Sequence, residues 1–413
     1  MADASSESKR DYAVGRMREP EEIRPARLVS VLLMFVVAAV GFWWLHRGDF
    51  SLWWLEDLPV YAHALRDWQA GRSPYNAELS PLYFLYPPAF LYMAGWLSHL
   101  VPEGWGAWVY VGAHVAAVCA IPLVLARYFF RRPWLGLLLA ELVFVAEPRF
   151  TALLALCGAN VASLFYCLAF AAAVPGLRRN RWELFYLVVF LGGITKITFL
   201  ALLLLPVLIG KRQWGRSIVC GVAVAGTNLA EQVLLPGLYA GYQWSVLQAI
   251  LVQRHYGYGV FGVLAFFDDK RHHAVGLWPY AVSALLALGI TLGLLVLRRR
   301  LEDGSADGGL LAGNAVWVAL VVMAVVLVNP REMQYDVDIA LFAAFVVFVT
   351  ALRVRWPLLL MVAWFLPSLV VPRVIHSPVL YGVYETLLVL GAFGVGYWWL
   401  WRGAGRSGFS FGG

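Results

Sequence analysis

The stretch that decides the reading runs from Glu56 to Pro88, EDLPVYAHALRDWQAGRSPYNAELSPLYFLYPP. It is the longest polar, turn-rich segment between apolar runs, and it follows the first hydrophobic span almost at once. Asp57 lies near its start, Tyr61 stands one helical turn later, and Gly71 to Tyr75 form a Gly-x-Ser-Pro-Tyr turn. A carboxylate set this close to a hydrophobic span reads as part of a site at a membrane surface.

Composition sets the frame for that reading. Hydrophobic residues make up 61% of the 413 residues and charged residues 14%, whereas a soluble domain carries roughly 25% charged residues. The chain is expected to be an all-α polytopic membrane protein. Its net charge of +7 comes in short basic clusters between apolar runs, where Lys and Arg set topology, so no nucleic-acid partner is expected. Cys119, Cys157, Cys167 and Cys220 lie inside apolar runs without paired spacing, which fits small buried hydrophobes and implies neither disulfide nor metal.

Outward from the opening stretch, residues 1–28 are polar and mixed in charge and read as a cytoplasmic tail. Residues 29–46 form a first retained span, with no small-residue cleavage site after it. Ala89 to Val101 is too short to cross a core of about 30 Å. If it did cross, the basic turns at Arg127–Arg132 and Arg178–Arg181 would face outside, against the usual bias. Residues 57–101 therefore read as an external loop carrying interfacial helices, with Trp68, Tyr83, Tyr86, Tyr92 and Trp96 suited to the headgroup layer.

Further spans are expected at 105–127, 134–147, 151–174, 182–195, 198–210, 217–235, 276–297, 309–328, 337–353, 356–371 and 378–400. That makes about twelve transmembrane helices with both ends in the cytoplasm. Residues 29–402 then form one transmembrane domain, 236–275 a second external loop, and 403–413 a short cytoplasmic tail.

With that topology the unusual polar residues fall at the outer ends of helices: Asp57, Glu147, Arg149, Asn160, Lys196, Glu231, Arg254, Arg331, Glu332, Asp336, Arg373 and His376. Ionisable groups at membrane depth are costly and are normally paired, solvated or functional. So many at one level imply a polar cavity open to the outside. Lys196 in GGITKITF reads either as a snorkelling lysine or as a point charge for an anionic headgroup. Arg149 and Arg331 each follow a proline and suit bidentate phosphate binding, with ion pairs to Glu147 and Glu332 as the structural alternative. Asp57 reads either as a helix cap before Leu58-Pro59 or as a proton acceptor. Asp336 and Asp338 point to different sides of a helix, so their metal reading is weak.

The order Asp57, Tyr61, Gly71, Pro74-Tyr75 and Tyr86-Pro87-Pro88 resembles the first external loop of glycosyltransferase family 87, the polyprenyl-phosphate-mannose-dependent mannosyltransferases of the GT-C superfamily. It is also similar to the catalytic subunit of GPI mannosyltransferase I. The likeness extends through Glu147-Pro148, Gly158-Ala159-Asn160, Lys196 and Asn329-Pro330 to Asp336. After Pro330 it departs: the family often has an aromatic residue and a histidine there, and this chain has Met333 and Tyr335.

The resemblance implies a GT-C-like bundle in a cell or inner membrane, with its active site facing the periplasm or exterior. It implies inverting transfer of a hexose, mannose first, from a polyprenyl-phosphate donor to a lipid-linked or cell-envelope glycan. Asp57 would be the catalytic base, and Tyr61, Glu147, Arg149, Asn160, Lys196, Arg254, Arg331, Tyr335 and Asp336 would line the substrate site. No cofactor is expected, and a divalent metal stays open. Membrane lipids are the remaining partners. Two rival readings stand beside it: a transporter or flippase of lipid-linked sugars, and a ligase or polymerase of envelope glycans.

Overall fold

In lipid every backbone N–H and C=O must find its partner inside the chain, and a helix does this segment by segment. The computed structural model obeys that constraint. It describes residues 57–75, 82–102, 104–129, 158–251, 254, 256–257, 259–303, 314–329, 333–351 and 378–403, and among these the regular structure is entirely helical.

The elements are α1 (Asp57–Gln69), α2 (Pro88–Ser98), α3 (Gly106–Phe129), α4 (Val161–Arg179), α5 (Glu183–Thr195), a 3-10 helix (Ile197–Leu203) running into α6 (Leu204–Ile209), and α7 (Trp214–Leu234). They continue with α8 (Pro236–Leu251), α9 (Val260–His272), α10 (Trp278–Asp303), α11 (Ala315–Leu327), α12 (Gln334–Ala351) and α13 (Pro378–Gly403). Among the described residues four stretches are long and apolar enough to cross a membrane: Val161–Arg179, Trp214–Leu234, Trp278–Glu302 and Val383–Gly403. Shorter apolar helices accompany them, among them Glu183–Thr195 and Ala315–Leu327. The outer faces are greasy; Val219, Val222 and Val233 of α7 and Leu285 of α10 are each more than 60% exposed. Apolar side chains in that state need lipid around them, and the chain has the character of a membrane protein.

Most expected spans coincide with helices whose ends shift by a few residues. The expected spans 29–46, 134–147 and 356–371 lie outside the described residues, as do the two tails. One expectation is corrected: 151–174 is not a continuous span. Ala159 is left-handed, φ 50°, and the helix begins only at Val161 with Asn160 as its cap. The physical reason is local. Asn160 is extended and its Oδ1 accepts the Ala162 N–H at 2.9 Å, which competes with helix continuation.

The core sits on α11. Every residue from Val316 to Leu327 is buried, as expected of a helix that is apolar all round. It packs against α12 and α13. Asn314 caps it, its Oδ1 accepting the Trp317 N–H at 3.1 Å.

A second tight contact holds one end of the bundle. Trp182 is fully buried against Gly176 of α4 and Gly210 beyond α6. Its indole N–H donates to Asn180 Oδ1 at 3.0 Å, and the same oxygen accepts the Lys211 N–H at 3.0 Å. Asn180 can do this because it ends α4 in the left-handed region, φ 55°. A Cβ on Gly176 would overlap the indole, whereas one on Gly221 of α7 meets nothing within 4 Å. Gly176→Ala should therefore lower the thermal midpoint in detergent, with overpacking of about 1–3 kcal/mol outweighing a helix-propensity gain of up to about 1 kcal/mol. Gly221→Ala, with the same propensity gain and no clash, should be neutral or stabilising.

Candidate active site at one end of the bundle

Among the described residues the chain path brings five helix beginnings or ends together at the end opposite Trp182. α4 and the 3-10/α6 limb run in the same direction: Trp182 touches both at one end, and Phe165 meets Phe199 at the other, ring centroids 5.4 Å apart. Phe165 lies about 7.5 Å along α4 from Asn160, and Phe199 about 6 Å along the 3-10 helix from Lys196. Asn160 and Lys196 therefore open their helices at about the same depth. α7 returns to this end, where Glu231 accepts the backbone N–H of Ala89 at the start of α2. α12 starts there too, since Lys196 Nζ lies 3.9 Å from Asp336 Oδ2.

The first loop is fastened over this end. Glu231 reaches an otherwise orphan donor of α2, whose preceding residue Pro87 makes no side-chain cap. Tyr75 packs on Gly241 of α8, donates its hydroxyl to the Tyr86 carbonyl at 3.0 Å, and accepts Ser245 Oγ on its own carbonyl at 3.5 Å. Trp68 of α1 lies on Gly95 of α2. Tyr92 and Trp96 stay largely exposed, 47% and 63%, as residues of a headgroup layer would. Tyr86 does not. It is buried, because its hydroxyl belongs to a polar network inside the loop.

Asp57 is at the centre of that network. It sits in the first turn of α1, half-buried, and its Oδ2 accepts Asn160 Nδ2 at 2.6 Å. Tyr61, one turn on, donates to the same oxygen at 3.4 Å and lies 2.9 Å from the Tyr86 hydroxyl. Tyr86 donates to Asn160 Oδ1 at 3.3 Å, and the Val161 N–H donates to Tyr61 at 3.3 Å. Tyr110 closes the ring from α3, donating to the Ala159 carbonyl at 2.6 Å. Burial, and then the nearby Asp57 carboxylate, push the Tyr61 phenol well above its usual range. It stays a neutral hydrogen-bond donor to the carboxylate.

Lys196 forms a second centre. It is both the end of α5 and the beginning of the 3-10 helix, and its extended backbone, φ −154°, makes the chain reverse. Its side chain is 19% exposed and pairs with Asp336, which is 1% exposed and also accepts the Met333 N–H at 2.9 Å. The lysine is thus ion-paired within the protein instead of snorkelling.

The other expected site residues fall differently. Arg254 is exposed in the second loop, at φ 56°, and pairs with Asp269 of α9 at 3.3 Å. Its partner lies in its own loop. Next to it Asp268 accepts the Gly276 N–H at 2.6 Å and His272 Nδ1 at 2.8 Å, and the Trp278 indole N–H and these donors hold its carboxyl below the usual range. Tyr335 lies in the first turn of α12 beside Asp336. Glu147, Arg149 and Arg331 lie outside the described residues. The sequence did not single out Tyr110, or the hydroxyl of Tyr86, as part of the site. The available signal was weak: an aromatic residue with a polar tip inside an apolar run.

In comparisons with known proteins the chain matches no family model and no curated protein.

Asn160 has two jobs in this geometry, capping α4 through Oδ1 and holding Asp57 through Nδ2. Asn160→Ala removes both and should cost about 1–2 kcal/mol of stability. Asn160→Asp keeps a capping oxygen but faces Asp57 with a like charge. It should remain destabilised at neutral pH and recover as the pH falls into the carboxylate range, measured by thermal unfolding in detergent across pH.

Proposed function

We propose that the protein is an integral-membrane inverting glycosyltransferase that moves a hexose, most simply mannose, from a polyprenyl-phosphate donor to a lipid-linked or envelope glycan. The observation that carries this reading is the Asp57 carboxylate: half-buried, tethered by Asn160 at 2.6 Å, and set at the same end of the bundle as the Lys196 cation. The resemblance of the first loop to glycosyltransferase family 87 supports it.

In this reading an acceptor hydroxyl attacks the anomeric carbon on the face opposite the phosphate. The bond from that carbon to the phosphate oxygen breaks, and polyprenyl phosphate leaves with the electron pair. Asp57 takes the hydroxyl proton as general base. Asn160 and neutral Tyr61 orient the carboxylate without adding a competing charge. Lys196 supplies positive charge for the leaving phosphate, joined by Arg149 and Arg331 and, if the second loop closes over the site, Arg254. Glu147, Tyr335 and Asp336 serve the sugar and its surroundings. The bundle has about twelve spanning helices with both termini in the cytoplasm, and this end faces the periplasm or exterior.

Purified protein incubated with radiolabelled polyprenyl-phosphate sugars and a panel of lipid acceptors should form labelled product. Translocation of the donor without transfer would favour a transporter instead. In that assay Asp57→Asn should lower turnover by about 10²–10⁴ with donor binding nearly unchanged. Glu56→Gln should be far milder, since adjacent helical residues point about 100° apart. Parent-like activity of Asp57→Asn at saturating substrates would move the search for a base to Glu147 and Asp336.

Orientation is tested separately, in a background lacking the four native cysteines. A thiol at the exposed position 70 (Ala70→Cys) should react with an impermeant reagent from outside. One at the exposed position 215 (Gly215→Cys) should react only after the membrane is opened. The opposite pattern would put Asp57 in the cytoplasm.

A further inference from the structure

The turn after α4 carries Arg178, Arg179 and Arg181, the turn after α6 carries Lys211 and Arg212, and all of them are exposed. Separate basic turns are enough to orient a membrane protein. Here the two turns are also fastened to each other. Asn180 Oδ1 accepts the Lys211 N–H at 3.0 Å and Gln213 Nε2 at 3.4 Å, while Asn180 Nδ2 donates to the Lys211 carbonyl at 3.2 Å. From α5 the Tyr186 hydroxyl donates to the Gln213 carbonyl at 3.2 Å and lies 3.0 Å from Ser217 Oγ. Asn180 and Arg212 both take the left-handed backbone, φ 55°, at this junction, a conformation that residues other than glycine adopt at some cost.

The clamp brings like charges together, and among the described residues no carboxylate answers them. None of Arg178, Arg179, Arg181, Lys211 and Arg212 is ion-paired there, and Glu183, next to the first turn, is already taken by Arg216 at 3.0 Å. Cations held side by side repel one another. The fold thus maintains a surface that an anion would stabilise.

The surface beside the cations identifies the kind of anion. Leu184 and Leu187 of α5 are 58% and 53% exposed, and Ile218 of α7 is 61% exposed. Leu184 follows Arg181 by three residues, so lipid-facing carbon begins within about one helical turn of the cations. Trp214, the first residue of α7, is 48% exposed, as an indole at a membrane interface would be. A soluble polyanion would meet the cations and leave this carbon uncovered. A phospholipid covers both, with its phosphate on the guanidinium and ammonium groups and its acyl chains along α5 and α7.

We propose that this patch binds an anionic phospholipid, whose headgroup phosphate bridges the α4–α5 and α6–α7 turns at the end of the bundle opposite Asp57. The proposal is independent of the glycosyltransferase reading. The bias of basic turns assigns this end to the cytoplasmic leaflet, whose surface is anionic. Bound lipid would tie the two turns together from outside, as Asn180 and Trp182 do from within.

The purified protein, delipidated in a neutral detergent, is titrated with phosphatidylglycerol or phosphatidylcholine while its thermal midpoint is followed. Phosphatidylglycerol should raise the midpoint by about 3–5 °C and phosphatidylcholine by about 1 °C or less. The gain should shrink by about half or more between about 0.05 M and about 0.5 M salt. Arg181→Gln combined with Lys211→Gln takes one cation from each turn and spares the clamp, which uses the Lys211 backbone. It should unfold like the parent without lipid and lose most of the gain. Lys270→Gln combined with Arg271→Gln removes the same charge from the exposed end of α9 in the second loop and should keep the gain. Equal gains in the two double variants, or a gain from glycerol phosphate as large as that from phosphatidylglycerol, would overturn the proposal.

A measurement on the parent alone covers the case in which the first double variant does not fold. An anionic phospholipid with a photoreactive headgroup is added, and the labelled residues are mapped by mass spectrometry. Labelling of 178–182 and 211–216 that is competed by phosphatidylglycerol but not by phosphatidylcholine supports the proposal. Absence of label there, or equal competition by the two lipids, overturns it.

Discussion

A polar side chain in an apolar protein has to find its partner in the fold, and Asn160 is where this constraint organises the most structure. Its Oδ1 caps α4 and its Nδ2 holds Asp57, so one residue both starts a spanning helix and ties the first loop to it. The left-handed turn at Ala159 makes this possible, because it points the amide out of the helix axis toward α1. Tyr86 and Tyr110 bind the same corner from two other elements. Removing the Tyr61 hydroxyl would take a donor from Asp57 and an acceptor from the Val161 N–H, so the bonds at this corner depend on one another.

The same rule accounts for how the bundle's two ends differ. At the Trp182 end, glycines allow an indole to lie against two helices, and Asn180 satisfies both that indole and the Lys211 backbone. The contact is dense. At the other end, among the described residues, carboxylates, an amide, phenols and Lys196 lie between the helix beginnings. Rigid packing at one end holds polar groups in place at the other, an arrangement suited to a preorganised site.

Lys196 and Asp57 are held in contrasting ways. Asp57 accepts hydrogen bonds from the Asn160 amide and from the Tyr61 phenol. Lys196 shares its charge with buried Asp336 at 3.9 Å, a long ion pair.

Read by itself, the sequence determined the elements whose cause is local. Apolar runs separated by basic turns predict the helices and the membrane setting. The turn-rich stretch from Glu56 to Pro88 marks the loop, and Asp57, Tyr61, Asn160, Lys196 and Asp336 stand out because polar groups are costly in such surroundings. Only the tertiary structure decided which of them meet. Asn160 lies 103 residues from Asp57 and joins it because α4 begins only after the left-handed Ala159, where the run of apolar residues suggested continuity. Tyr86 looked like a headgroup residue until folding turned its hydroxyl inward, and Tyr110 was hidden in an apolar helix. Arg254, equally prominent in the sequence, is paired with Asp269 in its own loop. The physical reason is common to all: hydropathy records how costly a polar group is to bury, whereas the partner that offsets the cost comes from another part of the chain.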